Sequence, residues 1–62
     1  MPSENEITYG YDRHVRSWCI IVHRNGYEAE SHYLATKEGC LRWVNELKEE
    51  YKGYEVRKIK AY

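Results

Sequence analysis

From residue 15 to residue 23 the chain is bulky or apolar at almost every position, and Trp18-Cys19-Ile20-Ile21-Val22 reads as a strand buried on both faces. Asn25-Gly26 follows directly. Both residues tolerate positive φ, so between two strand-forming runs they predict a type I′ hairpin with residues 27–34 as the returning strand. A two-residue turn fixes the pairing of the strands it joins. Arg24 should face Tyr27, His23 face Glu28, Val22 face Ala29, Ile21 face Glu30, Ile20 face Ser31, Cys19 face His32 and Trp18 face Tyr33. One face then gathers Trp18, Ile20, Val22, Ala29 and Tyr33, and the other Cys19, Ile21, His23, Glu28, Glu30 and His32.

After Thr36 the period changes. Cys40, Val44, Leu47 and Tyr51 recur at four, three and four residues, with Leu41 and Trp43 at the margins of the stripe and Arg42, Asn45, Glu46 and Glu49 opposite. Thr36 is the expected N-cap and Gly53 the expected stop. Residues 54–62 read as a last strand, although Val56 and Ile59 are out of phase for strict alternation, which a bulge or an edge position explains. Placed beside the first strand, it completes an α+β domain of ββαβ order, with a three-stranded antiparallel sheet ordered second, first, third (2-1-3) and one helix packed on one face. Ile7, Tyr9 and Tyr11 alternate within residues 1–12, which are expected as an N-terminal arm or a short extra edge strand preceding a single domain over residues 13–62.

With 62 residues the chain sits near the lower size limit for a core of its own, since so small a domain buries only about 60% of its unfolded surface. Two tryptophans and seven tyrosines, with no phenylalanine, supply the bulk. Ten basic and ten acidic residues cancel, which removes the composition-level argument for a nucleic-acid or membrane-surface partner. No apolar run approaches the ~20 residues of a membrane helix, and Met-Pro-Ser-Glu-Asn-Glu is acidic where a secretory leader is basic. A cytoplasmic protein with no membrane partner is the expectation.

Candidate chemistry adds little. Cys19 opposite His32 would bring a thiol and an imidazole together, but His23 lies about 13 Å along the strand from Cys19, too far to complete one metal site. Catalysis by the same pair would need a cleft that one helix on three strands does not supply. Cys40 on the core stripe and Cys19 on the far face should be separated by the sheet, so both are expected as free thiols. No cofactor, metal or catalytic residue is therefore expected. Two surfaces stand out instead. Tyrosine, tryptophan and arginine are the residues of protein-interface hot spots, which makes Ile21, His23, His32, Tyr27, Trp43 and Tyr54 candidates for a protein interface. Arg13, Arg16, Arg57, Lys58 and Lys60, brought together at one end of the sheet and interleaved with tyrosines, would suit single-stranded nucleic acid.

The run from Val22 to Glu55, with Arg-Asn-Gly at its first turn, Ala-Thr-Lys-Glu opening the helix, then Trp-Val-Asn-Glu-Leu and a closing Gly-Tyr-Glu-Val, resembles small uncharacterised phage accessory proteins. Thr36-Lys37-Glu38 through Trp43 also resembles the helix of phage integrase arm-binding domains, which read DNA with a three-stranded sheet. The resemblance implies a small accessory protein, and the tyrosine-rich sheet and helix surfaces a non-enzymatic one that binds another protein or itself; the sheet face that a single helix cannot cover suits a weak homodimer. Nucleic-acid binding by the basic strand ends is the alternative.

Overall fold

A computed structural model describes residues 4–59 and resolves them into β1 (Glu6–Asp12), β2 (Ser17–Arg24), β3 (Tyr27–Leu34), α1 (Lys37–Glu50) and β4 (Glu55–Lys58). The strands form one four-stranded sheet in the order β3-β2-β1-β4. β2 pairs antiparallel with both β1 and β3, while β1 and β4 run parallel. The architecture is α+β with a single helix, as the pattern implies, but the expected three-stranded antiparallel sheet ordered 2-1-3 is corrected to a mixed sheet of four.

The N-terminal segment makes the difference. Residues 1–3 of the expected arm lie outside the described residues, but residues 6–12 form no edge strand: β1 enters the sheet between β2 and β4, and Ile7 is fully buried against Ile20, Val22 and the helix. Its register, Ile7 with Val22 and Tyr9 with Ile20, turns both side chains toward α1. Glu6 and Thr8 point the other way and are buried too. That burial is tolerated because both find polar partners on the same face, described below. The chain then turns through residues 13–16, where Asp12 Oδ1 accepts from the His14 backbone N–H at 2.9 Å and Arg16 adopts φ 53°. β2 thus begins at Ser17, two residues later than the apolar run suggested, and Val15 lies exposed in the turn.

The hairpin turn is as expected: Asn25 has φ 53° and Gly26 φ 82°, the two positive values of a type I′ turn. Arg24 faces Tyr27 and His23 faces Glu28, and then the register slips. Between Val22 and His23 the ladder carries a bulge at Ala29, so Val22 faces Glu30, Ile21 faces Ser31, Ile20 faces His32, Cys19 faces Tyr33 and Trp18 faces Leu34. One extra residue moves every later side chain of β3 to the opposite face. Glu30, His32 and Leu34 therefore stand on the helix side, and Ser31 and Tyr33 on the bare side, the reverse of the unbulged pairing.

Thr36 caps α1, its hydroxyl accepting from the Gly39 N–H at 3.1 Å. Cys40, Val44 and Leu47 are the buried stripe, joining Ile7, Ile20 and Val22 in the core, with Tyr9, Trp18, Leu34, Tyr51, Tyr54 and Val56 packed around them. The helix ends at Tyr51, whose N–H reaches the Leu47 carbonyl at 2.7 Å, and a turn closed by Tyr54 N–H on Tyr51 C=O at 3.2 Å leads into β4. β4 is an edge strand of four residues, Glu55–Lys58; of the expected 54–62, residues 60–62 lie outside the described residues. Past its end the Ile59 N–H donates to the Tyr9 carbonyl at 2.8 Å, and Ile59 lies across Gly10, where a Cβ would come within 2.7 Å of the Ile59 carbonyl oxygen.

Candidate functional site

The bulge gathers a polar cluster where β3 meets the helix. His32 Nε2 lies 3.0 Å from Glu30 Oε1, and its ring stacks on Trp43 with centroids 4.8 Å apart and planes 19° from parallel. The Tyr51 hydroxyl donates to the other oxygen of Glu30, and Tyr51 packs on Tyr54 at 5.1 Å. The Tyr51 bond, with His32 second, holds the Glu30 carboxyl below its ordinary value. The same bond pushes the Tyr51 phenol up to about 12. Both oxygens of Glu30 are engaged, one by His32 and one by Tyr51, which makes the cluster a strut between β3 and the end of α1. Trp43 remains 42% exposed above it.

The opposite face of the sheet has no helix. At one end Arg57 grips Glu6 with two hydrogen bonds of 3.2 Å, Nε to Oε1 and Nη2 to Oε2. The bidentate bond lowers the Glu6 carboxyl against the opposing effect of burial. Beside it Thr8 Oγ1 and His23 Nε2 are 3.3 Å apart. Toward the other end Cys19, Ile21, Tyr33 and Ile59 surround a depression of ≈ 120 Å³, with Asp12, Glu28 and Ser31 also in its lining. Tyr33 is 68% exposed there. Burial, then the charge of Asp12, raises the Cys19 thiol above its ordinary value, which disfavours the nucleophilic thiolate.

The six candidate interface residues do not form one patch. Ile21 and His23 share the bare face. His32 and Trp43 are stacked together on the helix side, Tyr27 is 78% exposed at the hairpin tip, and Tyr54 is half-buried beside Tyr51. Nor does the fold assemble the basic set. Arg13 and Arg16 lie in the β1–β2 turn, whereas Arg57 is held by Glu6 opposite Thr8, about 17 Å of strand from Arg13. Lys58 pairs with Tyr9 and so points to the other side of the sheet from Arg57. Lys60 lies outside the described residues.

The expected opposition of Cys19 and His32 is corrected: the bulge puts them on opposite faces, Cys19 across from Tyr33 and His32 across from Ile20. Cys40 is buried under the helix and Cys19 faces away, both as free thiols with the sheet between them. Among the described residues no three His, Cys, Asp or Glu side chains converge as metal ligands, and no helix is long and apolar enough to cross a membrane. Tyr33 and Ile59 are the site residues that sequence reasoning missed. β3 is nearly as polar on one face as on the other, so its pattern chooses no register, and nothing local marks the bulge.

No protein-family model matches the chain, and neither the curated proteins nor the solved structures contain a significant match to it.

Proposed function

We propose that this domain is a non-enzymatic accessory module that works by binding another protein, with the apolar end of its bare sheet face as the contact surface. One observation carries the reading: Cys19, Ile21, Tyr33 and Ile59 lie together on a face that no helix covers, with Tyr33 68% exposed. Monomeric proteins usually cover such a face or use it. The depression among these residues, ≈ 120 Å³, is well below the ~300–1,000 Å³ of a small-molecule pocket, so the face suits an apolar side chain of a partner better than a substrate. A role of the kind filled by small phage accessory proteins agrees with this size and surface.

The test is affinity capture from an extract of the native source with the wild type and with Ile21→Glu, each checked for an unchanged far-UV circular dichroism spectrum. A partner held by the wild type, lost with Ile21→Glu and retained as salt is raised supports the face. Retention of the same partner by both proteins removes it as the contact surface. Capture that collapses steeply with salt would point to phosphate contacts instead.

A further inference from the structure

Among the described residues β3 and β4 are the two edges of the sheet, with no strand paired beyond either, and they are built differently. β4 has four residues and carries Arg57 and Lys58. Shortness and basic side chains are how proteins keep an edge from pairing with another chain. β3 has eight residues, Tyr-Glu-Ala-Glu-Ser-His-Tyr-Leu, with no lysine, arginine or proline among them. Its bulge lies at the hairpin end and leaves residues 30–34 in regular pairing with β2.

The outward hydrogen-bonding groups of that stretch can be assigned. Leu34 turns its carbonyl toward β2, where Ser17 Oγ donates to it at 3.4 Å. Backbone direction alternates along a strand, so His32 and Glu30 also bond inward, while Ser31 and Tyr33 present their N–H and C=O groups to the free edge. We propose that β3 pairs antiparallel with β3 of a second copy about a two-fold axis through Ser31, forming one continuous sheet of eight strands, four from each copy.

The carboxylate of Glu30 and the imidazole of His32, an acceptor and a donor two residues apart, select this partner and this register. With Ser31 on the axis, the two Ser31 residues exchange N–H and C=O bonds, and Glu30 of each copy faces His32 of the other. These are non-hydrogen-bonded positions with Cα atoms about 4.5 Å apart, where the carboxylate oxygens of Glu30 can accept from an imidazole N–H of the other copy in addition to their bonds within the chain. On the other face Tyr33 meets the bulged end of the partner strand at Ala29, where no bulky side chain stands in its way. Centring the axis on Glu30 would oppose two carboxylates, and centring it on His32 would oppose two imidazoles and leave Glu30 facing Leu34. The isologous arrangement closes on itself and adds no further copies. It uses the backbone of the sheet edge, whereas the side chains of Ser31 and Tyr33 also line the depression on the bare face, so Ile21→Glu, which alters that face and leaves the edge backbone alone, separates the two.

Sedimentation velocity from micromolar to millimolar protein tests it with the wild type, Ser31→Pro, Ser31→Lys and Ile21→Glu. Proline removes an outward N–H that β2 does not use, and lysine sets two like charges together on the axis, so each should raise the dimer dissociation constant at least about tenfold, or 1.4 kcal/mol. Ile21→Glu, on the face, should dimerise as the wild type does. If circular dichroism finds Ser31→Pro misfolded, Ser31→Lys decides alone. A wild type that stays monomeric at millimolar concentration overturns the proposal, as do Ser31 variants that dimerise normally. Dimerisation lost only in Ile21→Glu would move the contact to the face and also overturn it.

Discussion

Tyr51 and Glu30 form one bond that is visible from both ends. The Tyr51 phenol is raised from its ordinary 10.0 to about 12, first by its hydrogen bond to Glu30. A folded-state value above the unfolded one means stability that is complete below pH 10.0 and lost as pH climbs through about 12. A spectrophotometric titration should find a late phenolate near pH 12 that Tyr51→Phe abolishes; an unchanged titration in that variant would place the late group elsewhere. Glu6 carries the opposite sign. Arg57 holds its carboxyl below the ordinary 4.5, so its contribution is present above that pH and lost as pH falls below it. Glu6→Gln should therefore lower the thermal midpoint at neutral pH and flatten its decline on the acid side, which melting curves from neutral to strongly acidic pH would measure.

At the scale of elements, the hairpin contains one feature the chain announces and one it conceals. Gly26 at φ 82° occupies a conformation closed to β-branched residues, so Gly26→Val should melt well below Gly39→Ala. Gly39 is helical, where alanine is favoured by about 0.5–1 kcal/mol, but a Cβ there comes within 3.1 Å of the capping Thr36 hydroxyl and offsets part of that gain. Equal midpoints would contradict the turn. The concealed feature is the bulge. Deleting Ala29 leaves His23 facing Glu28 and Val22 facing Glu30, so the shortened hairpin should fold with its faces intact. In an unbulged hairpin the same deletion would throw residues 30–34 onto the wrong faces and unfold the domain. A melting curve of the deletion variant distinguishes the two.

For the whole molecule, six buried apolar residues form the core among the described residues, and one of them comes from the N-terminal strand. A scaffold of this size rarely has more than about 3–5 kcal/mol of stability. Removing a buried isoleucine's side chain costs about 2–5 kcal/mol, so Ile7→Ala should leave the domain unfolded or nearly so at ambient temperature, as judged by urea denaturation. A dispensable N-terminal arm would give an Ile7→Ala variant indistinguishable from the wild type. The same strand separates β2 from β4, which is why Arg13, Arg16 and Arg57 do not meet and why Arg57 is available to neutralise Glu6.

What the sequence determined by itself are the features coded within a few residues: the Asn25-Gly26 turn, the extent of β3, the Thr36 cap and the Cys40, Val44 and Leu47 stripe of α1. Each rests on a local backbone preference or on a strong period, which neighbouring residues suffice to express. Only the tertiary structure decided the place of β1, the slip at Ala29 and the outward position of Tyr33. β1 carries Glu6, Thr8 and Gly10 on one face, and these read as polar or neutral until Arg57, His23 and Ile59, distant in sequence, cover them. β3 is polar on both faces, so its own pattern left the register free, and packing against α1 fixed it by stacking His32 on Trp43 and bonding Glu30 to Tyr51. Contacts between residues far apart in the chain settle what a weak local pattern leaves open.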